Sequence, residues 1–223
     1  MSKNIFITAT GTDIGKTYVS ALIVKRMREE GFDCGYFKPV LSGVVEKDGK
    51  LIESDCNYVV NTAKIPTSAD DCVTYWWKEA VSPHLAAKRA GMEIDIAKIK
   101  SDFDKKNKEF DYLLIEGAGG ITCPLRLENG EKYILKDLIK ELEVPIIIVA
   151  DGGLGTINSI LLTVEYARAN GIKIAGIILN NYEKDNFMHQ DNLKQVEYLT
   201  GVKVIATVER GGDEIGLLEE KFN

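Results

Sequence analysis

The sequence predicts an α/β fold in which a mostly parallel sheet is covered by helices on both faces. Three observations predict it. Strand-like and helix-like segments alternate along the whole chain, the order that produces parallel strands joined by crossover helices. Pro145-Ile146-Ile147-Ile148-Val149-Ala150 is apolar throughout, as a strand buried on both faces requires. Near the start, Ile5-Phe6-Ile7-Thr8-Ala9 reads as a short strand that turns into Gly15-Lys16-Thr17 at a helix start. No repeat, low-complexity stretch or linker interrupts the pattern. Residues 1–223 therefore read as one domain, long enough to bury a sizeable core.

The elements follow in order. Over residues 16–30, Val19, Leu22, Ile23 and Met27 share one helical face, and Gly31 suits the C-cap. Residues 34–37 form a short strand that ends at Lys38-Pro39, because a proline disfavours helix at the residue before it. Ser42-Gly43 is a turn. Residues 44–52 are polar around Asp48-Gly49, the mark of a hairpin or a mobile loop. Ser54 or Asp55 caps a short helix. Ser82-Pro83 is a well-marked helix start, with serine at the N-cap and proline at the first helical position. His84 then reads as a first-turn structural residue or a ligand contact. Ile96, Ile99 and Phe103 define a further helix whose lysines face solvent. Tyr112-Leu113-Leu114-Ile115-Glu116 is an apolar strand ending in a carboxylate. Leu125-Arg126-Leu127 and Tyr133-Ile134 flank Asn129-Gly130, a strong hairpin signal. Leu135, Leu138, Ile139 and Leu142 mark a helix. After the strand 145–150, Asp151-Gly152-Gly153-Leu154-Gly155 leads into a helix with Ile157, Ile160, Leu161 and Val164 inward and Gly171 after its end. Residues 174–179 form a strand ending at Asn180-Asn181. A helix over 193–200, a strand over 202–207 and a short acidic tail complete the chain.

Composition limits the function. The net charge is −6 and the pI about 5.2, which argues against a nucleic-acid or anionic-membrane surface. Any bound anion must be caught by a focused local site. Cys34, Cys56, Cys72 and Cys123 form no C-x-x-C pair, and there are only two histidines. A structural zinc is not expected, and the cysteines read as reduced, mostly buried thiols. The first apolar run is too short for a signal peptide, and no window approaches the length of a membrane span. The expected location is the cytoplasm.

The chemistry concentrates in the first turn. Strand, turn and Gly15-Lys16-Thr17 supply the context of a phosphate-binding loop. Backbone N–H groups of the turn and the helix start would face phosphates. Lys16 would reach the β and γ phosphates, and the Thr17 hydroxyl would ligate Mg²⁺. The fit to G-x-x-x-x-G-K-[ST] is imperfect: Thr10 stands five before Gly15, and Gly11 comes one place late. Glu116, at the end of its strand, is the expected second partner for Mg²⁺, and Gly117-Ala118-Gly119-Gly120 lets backbone approach a ligand. Asp55 reads as a helix-cap residue that can also serve a metal. Lys38 falls on the strand rim where ligands of open α/β sheets bind, but position alone favours a solvated surface charge. The turn before Thr156 is a second anion site or a plain connection. The Asn180 amide matches the donor and acceptor of adenine, although asparagine also simply favours turns.

Taken together and in this order, Thr8 through Thr17, Lys38-Pro39-Val40 with Ser42-Gly43, Ser54-Asp55, Ser82-Pro83-His84, Glu116 through Gly120 and Gly155-Thr156-Ile157-Asn158 resemble the dethiobiotin synthetase family, along nearly the whole chain. That family's phosphate loop has one extra residue between its glycines, which accounts for the imperfect motif. The resemblance implies a P-loop NTPase-like fold and an ATP- and Mg²⁺-dependent ligase that closes 7,8-diaminopelargonate with CO₂ into a cyclic urea. It implies Lys38, Lys16 and Thr12 as catalytic residues. It places the nucleotide on Asp13, Ile14, Gly15, Lys16, Thr17, Asp55, Glu116, Gly117, Ala118, Gly119, Asn180, Asn181, Thr207, Val208 and Glu209. Thr17, Asp55 and Glu116 would hold the metal. Ser42, Thr12 and Asp13, with Gly155, Thr156, Ile157 and Asn158 from a neighbouring subunit of a homodimer, would hold the substrate. The chain departs from the family at Ala9 and Gly11, at Asn181 where a basic residue is common, and after Thr207, where a usual proline is missing.

Two other classes compete. Partition- and cell-division-type ATPases carry a signature lysine five residues before the loop lysine, where this chain has Gly11. An amidating relative would need a glutamine-hydrolysing domain, for which this chain is too short.

Overall fold

The computed structural model describes residues 4–127, 130 and 132–217. Among these residues, twelve strands and seven α-helices occur in the order β1 (Asn4–Ala9), α1 (Lys16–Glu29), β2 (Cys34–Ser42), β3 (Val45–Lys47), β4 (Lys50–Glu53), α2 (Asp55–Ala63), β5 (Val73–Trp77), α3 (Pro83–Arg89), α4 (Ile96–Glu109), β6 (Tyr112–Glu116), β7 (Pro124–Arg126), β8 (Tyr133–Ile134), α5 (Leu135–Leu142), β9 (Ile146–Asp151), α6 (Thr156–Ala169), β10 (Ile174–Asn180), α7 (Phe187–Thr200), β11 (Val204–Thr207) and β12 (Gly216–Leu217). Eight of the strands form one sheet in the order β12-β11-β10-β9-β1-β6-β2-β5. All are parallel except β12, which runs antiparallel to β11.

Each face of the sheet carries its own core. Phe6, Ile115, Ile146, Ile148 and Leu179 point to one face, where Ile99, Leu138, Ile160 and Val196 of four helices meet them. Ile7, Leu114, Ile147, Val149 and Ile178 point to the other, against Val19, Leu22 and Val59. Successive residues of β1 and β9 thus serve opposite cores, which is why Ile5-Phe6-Ile7 and Ile146 through Ala150 are apolar without alternation.

The expected α/β architecture holds, with local differences. β2 does not stop at Phe37. It pairs with β6 from Cys34 to Phe37, then with β5 from Lys38 to Ser42. Pro39 sits where the pairing passes from one neighbour to the other, so its missing N–H breaks no regular ladder. β5 was not expected from the sequence, nor was β12, and α7 begins six residues before the anticipated 193. Residues 44–52 form the hairpin alternative, β3–β4. β7 and β8 pair as the Asn-Gly signal implies, although Glu128 and Asn129 of that turn lie outside the described residues. Of the helix-α4 lysines, Lys106 is buried rather than solvated and pairs with Glu109 at 2.6 Å. On α6, Ile160 and Val164 are buried, while Ile157 and Leu161 are only half-buried. Among the described residues, no helix is long and apolar enough to cross a membrane.

Candidate active site

β1 lies inside the sheet between β9 and β6, and the loop after it forms the centre of the site. Asp13 and Gly15 both adopt left-handed backbone, at φ 58° and 91°. Gly15 caps α1 with no side-chain cap and no acidic residue in the first turn. The helix start therefore keeps its N–H donors and dipole available to an anion. The Asn180 amide at the end of β10 braces this loop. Its Nδ2 donates to the Ile14 carbonyl at 2.8 Å, and a Cβ on Gly15 would lie 2.2 Å from that nitrogen. Asn180 Oδ1 is buried without a partner among the described residues, an acceptor left open beside the loop. Lys16 Nζ donates to the Gly11 carbonyl at 3.2 Å. Its pKa is lowered, first by burial and then by the positive charge of Lys38. Thr12 and Asp13 stand exposed at the loop tip.

Next to the loop is a buried charge cluster. Ile7 of β1 is in register with Glu116 of β6, and Glu116 is fully buried. The Thr17 hydroxyl donates to Glu116 Oε1 at 2.7 Å, and the Lys38 ammonium donates to the same oxygen at 2.6 Å. Lys38 also pairs with Asp55. Asp55 opens α2 just after Ser54, whose hydroxyl accepts from the Asn57 N–H at 3.2 Å. The position of Lys38 corrects the reading of a solvated charge: it is 3% exposed. Burial alone would lower its pKa, but Glu116 and Asp55 outweigh that, and the net shift is upward. The ammonium is firmly protonated, as a buried charge with two carboxylate partners should be. Tyr36, two residues earlier on β2, donates its hydroxyl to Glu116 Oε2 at 2.9 Å. Burial, then the Glu116 charge, holds its phenol well above the usual range.

The glycine turn after Glu116 is packed against both core and loop. A Cβ on Gly117 would come within 2.7 Å of Leu135 and 2.9 Å of Phe6, and one on Gly120 within 3.2 Å of the Ala9 carbonyl. Gly119 faces Thr12 and Cys123. Burial pushes the Cys123 thiol up to about 11, so it is not poised as a nucleophile. Ala118 is half-buried and packs on the core.

The remaining residues divide into two groups. Thr207, Val208 and Glu209 do run beside Asn180-Asn181: the Val208 N–H donates to the Leu179 carbonyl, and the Tyr182 N–H to the Val208 carbonyl, both at 2.9 Å. Asn181 adopts φ 52° and turns its amide to Asp151 Oδ2 at 2.7 Å. Gly155, at φ 88°, caps α6, and Thr156 is buried with an unpartnered hydroxyl among the described residues. Asn192 of α7 donates to the carbonyls of Gly152 and Gly153 at 2.9 and 3.0 Å, so this turn is held from behind. Ile157 and Asn158 follow in the first turn of α6. Ser42 donates to the Val81 carbonyl at 2.6 Å, and Ser82 Oγ bonds His84 Nδ1 at 3.0 Å. Among the described residues, no hydrogen bond joins Ser42 or the Gly155–Asn158 start to the Lys16–Lys38–Glu116 cluster.

The sequence reading missed Tyr36 and the brace from Asn192. An aromatic in an apolar strand reads as core, and Asn192 lies in a helix turn without apolar periodicity.

A parallel sheet with a glycine-lysine-threonine loop after an interior strand, an acidic strand end beside it and a buried lysine facing both defines a P-loop nucleotide-binding protein. An AAA domain family model matches residues 3–213. The ATP-dependent dethiobiotin synthetase BioD of Brachyspira hyodysenteriae is 51% identical over 208 residues, 93% of this chain and 92% of that protein. The protein of the same name from Clostridium botulinum (strain Eklund 17B / Type B) is 46% identical over 217 residues, 97% and 95% of the two chains. The chain belongs to the ATP-dependent dethiobiotin synthetase family. Two solved structures share its fold alone. The MinC:MinD cell division protein complex of Aquifex aeolicus matches with a TM-score of 0.56 at 13% identity, over 93% of this chain and 81% of that one. Chloroplast FtsY from Physcomitrella patens matches at 0.51 and 16%, over 97% and 62%.

Proposed function

We propose that this protein is the ATP-dependent ligase that makes dethiobiotin from 7,8-diaminopelargonate and CO₂, with Lys16 and Lys38 as the working cations. The observation that carries the assignment is the buried Lys38 ammonium, held beside the phosphate loop by Glu116 and Asp55. One amine takes up CO₂ to give a carbamate, releasing a proton. A carbamate oxygen attacks the γ-phosphorus and ADP leaves, giving a carbamic–phosphoric anhydride. The second amine attacks the carbonyl carbon, closes the ring, expels phosphate and loses its proton. Carbamate and triphosphate are both anions, so positive charge is needed where they meet. Lys16 lies on the loop side and Lys38 on the rim side of that meeting point. Thr12, Asp13 and Ser42 position the reactants, a large part of such catalysis.

Thr17, Asp55 and Glu116 fit Mg²⁺. The two carboxylates share the Lys38 ammonium and the Thr17 hydroxyl bonds Glu116, so three hard oxygen donors are linked in one cluster, and Mg²⁺ needs only one or two carboxylates when phosphates and water complete its shell. That suits a site with no cluster of three His, Cys, Asp or Glu among the described residues. Bound there, Mg²⁺ would offset charge on the transferred phosphoryl group. The open Oδ1 of Asn180 supports an adenine amino group beside Asn181 and Thr207–Glu209, and Gly117–Gly119 belong to the rest of the nucleotide site. The buried, unpartnered Thr156 hydroxyl supports the α6 start as the receiver of the substrate carboxylate, contributed to the site by the second subunit of a homodimer. Four free cysteines suit the reducing cytoplasm.

The test is mass spectrometry of the product after mixing protein with 7,8-diaminopelargonate, bicarbonate, Mg²⁺ and ATP, omitting each in turn. A product heavier than the diamine by CO₂ minus water, formed only with everything present, is expected. ATP hydrolysis regardless of the diamine, without a cyclic urea, would overturn the substrate assignment.

A further inference from the structure

We propose that Tyr36 is a positioning residue for this reaction: its hydroxyl fixes the free oxygen of Glu116 and so aims the other oxygen at the phosphate loop. The inference rests on the metal role proposed for Glu116. Glu116 ends a short strand, and its last torsion is soft, with a broad two-fold profile. One carboxylate oxygen, Oε1, takes both Thr17 and Lys38, at 2.7 and 2.6 Å. Those two donors alone would let the group rotate about that oxygen. Both oxygens are shut off from bulk water, because Glu116 is fully buried, but Oε2 has no partner on the phosphate loop. Tyr36 supplies its hydrogen bond at 2.9 Å. The phenol is itself fully buried, and its ring is packed in the core that α1 and α2 close. A rigid ring with one hydroxyl holds a carboxylate more strictly than a flexible side chain would. Without that donor, Oε2 is a buried acceptor lacking a partner. It would turn toward Lys38 and draw Oε1 off the loop.

The same face of β2 therefore supplies two groups to Glu116, one to each carboxylate oxygen. Lys38 shares the oxygen that faces the reaction, and Tyr36 holds the one that does not. Such outer partners of a ligating carboxylate typically change metal affinity by about 10–100-fold when removed.

The experiment compares wild type, Tyr36→Phe, Glu116→Gln and the double variant by calorimetric titration of Mn²⁺ or Mg²⁺ into each protein saturated with ADP, with turnover measured against Mg²⁺ concentration. For Tyr36→Phe, cation affinity falls about tenfold or more, ADP affinity without cation is unchanged, and high Mg²⁺ recovers turnover. In the Glu116→Gln background, Tyr36→Phe adds no further loss, because Tyr36 acts through that carboxylate. In the double variant the group left without the Tyr36 hydroxyl is a neutral amide rather than a carboxylate, so it keeps the comparison available if the single variant folds poorly. A wild-type titration for Tyr36→Phe beside a weakened Glu116→Gln would overturn the role of Tyr36 and leave the site standing. An additional loss in the double variant would overturn it too. A wild-type titration for Glu116→Gln would instead remove Glu116 from the metal site.

Discussion

Lys38 shows most directly how a residue gains its role from where it is buried. A lone lysine after an apolar strand looks like surface charge, and Pro39 looks like the strand's end. Both impressions fail for one reason: β2 continues past β6 to pair with β5, carrying Lys38 inside. The sequence held the residue and its rim position but not the burial, because burial depends on strand order. Asn180 was legible as a residue at the end of its strand, but its Nδ2 is spent on Ile14, so only Oδ1 remains open for the proposed adenine contact. For Lys38→Gln, which keeps most of the volume, we expect turnover to fall by about 100-fold or more, the scale of losing one electrostatic contact to the developing charge. The melting midpoint should also drop, since Glu116 and Asp55 lose their cation. Mg²⁺ with ADP should then raise that midpoint further than it raises the wild type's, by returning positive charge to the same oxygens. Steady-state turnover and thermal melts with and without Mg²⁺–ADP check both halves. Near-normal turnover would remove Lys38 from the chemistry.

At the scale of elements, the strand–loop–helix unit from β1 to α1 was readable because local signals agree there: an apolar run, a glycine and a lysine-threonine helix start. β5 was overlooked although Val73-Thr74-Tyr75-Trp76-Trp77 is a β-branched and aromatic run preceded by Pro66, Ser68, Asp70 and Asp71; only its place at the sheet edge beside β2 is a tertiary fact. The first turns of α7 were missed because Met188-His189-Gln190-Asp191 carries no apolar period. The loop itself depends on one backbone position. Gly15→Ala puts a side chain at φ 91°, a strain of about 1–2 kcal/mol, and drives it into the Asn180 amide. The midpoint should fall by roughly 2–4 °C per kcal/mol in a chain of this size. ADP affinity should fall at least tenfold, because loop and amide must part. Calorimetry of melting and of ADP binding tests this. Unchanged ADP affinity would mean that the Asn180 brace is not what shapes the loop.

At the scale of the molecule, five of the twelve large apolar side chains left in water among the described residues stand on or beside two neighbouring helices, α6 and α7, while the other seven are scattered. Leu154 is 92% exposed just before the α6 cap, Leu162 follows on α6, and Phe187, Tyr198 and Leu199 stand on the adjacent α7. Scattered apolar residues need no explanation, but several on neighbouring elements mark a contact surface. The proposed homodimer gives them one, through a two-fold interface that presents the same patch from both sides. Leu154 lies next to Gly155 and Thr156, so the surface that would pair the subunits adjoins the helix start proposed to take the substrate carboxylate. Dimerisation and substrate binding should therefore fail together, while nucleotide binding, which depends on β1, α1 and β10 of one chain, should not. Sedimentation velocity of the wild type is expected to show a dimer, and Leu154→Asp with Leu162→Asp a monomer. That monomer should bind ADP normally and lose most of its ring closure. A monomeric variant with full turnover would confine the substrate site to one subunit. A wild-type chain that sediments as a monomer would remove the dimer, and Thr156 would then have to find its ligand within its own chain.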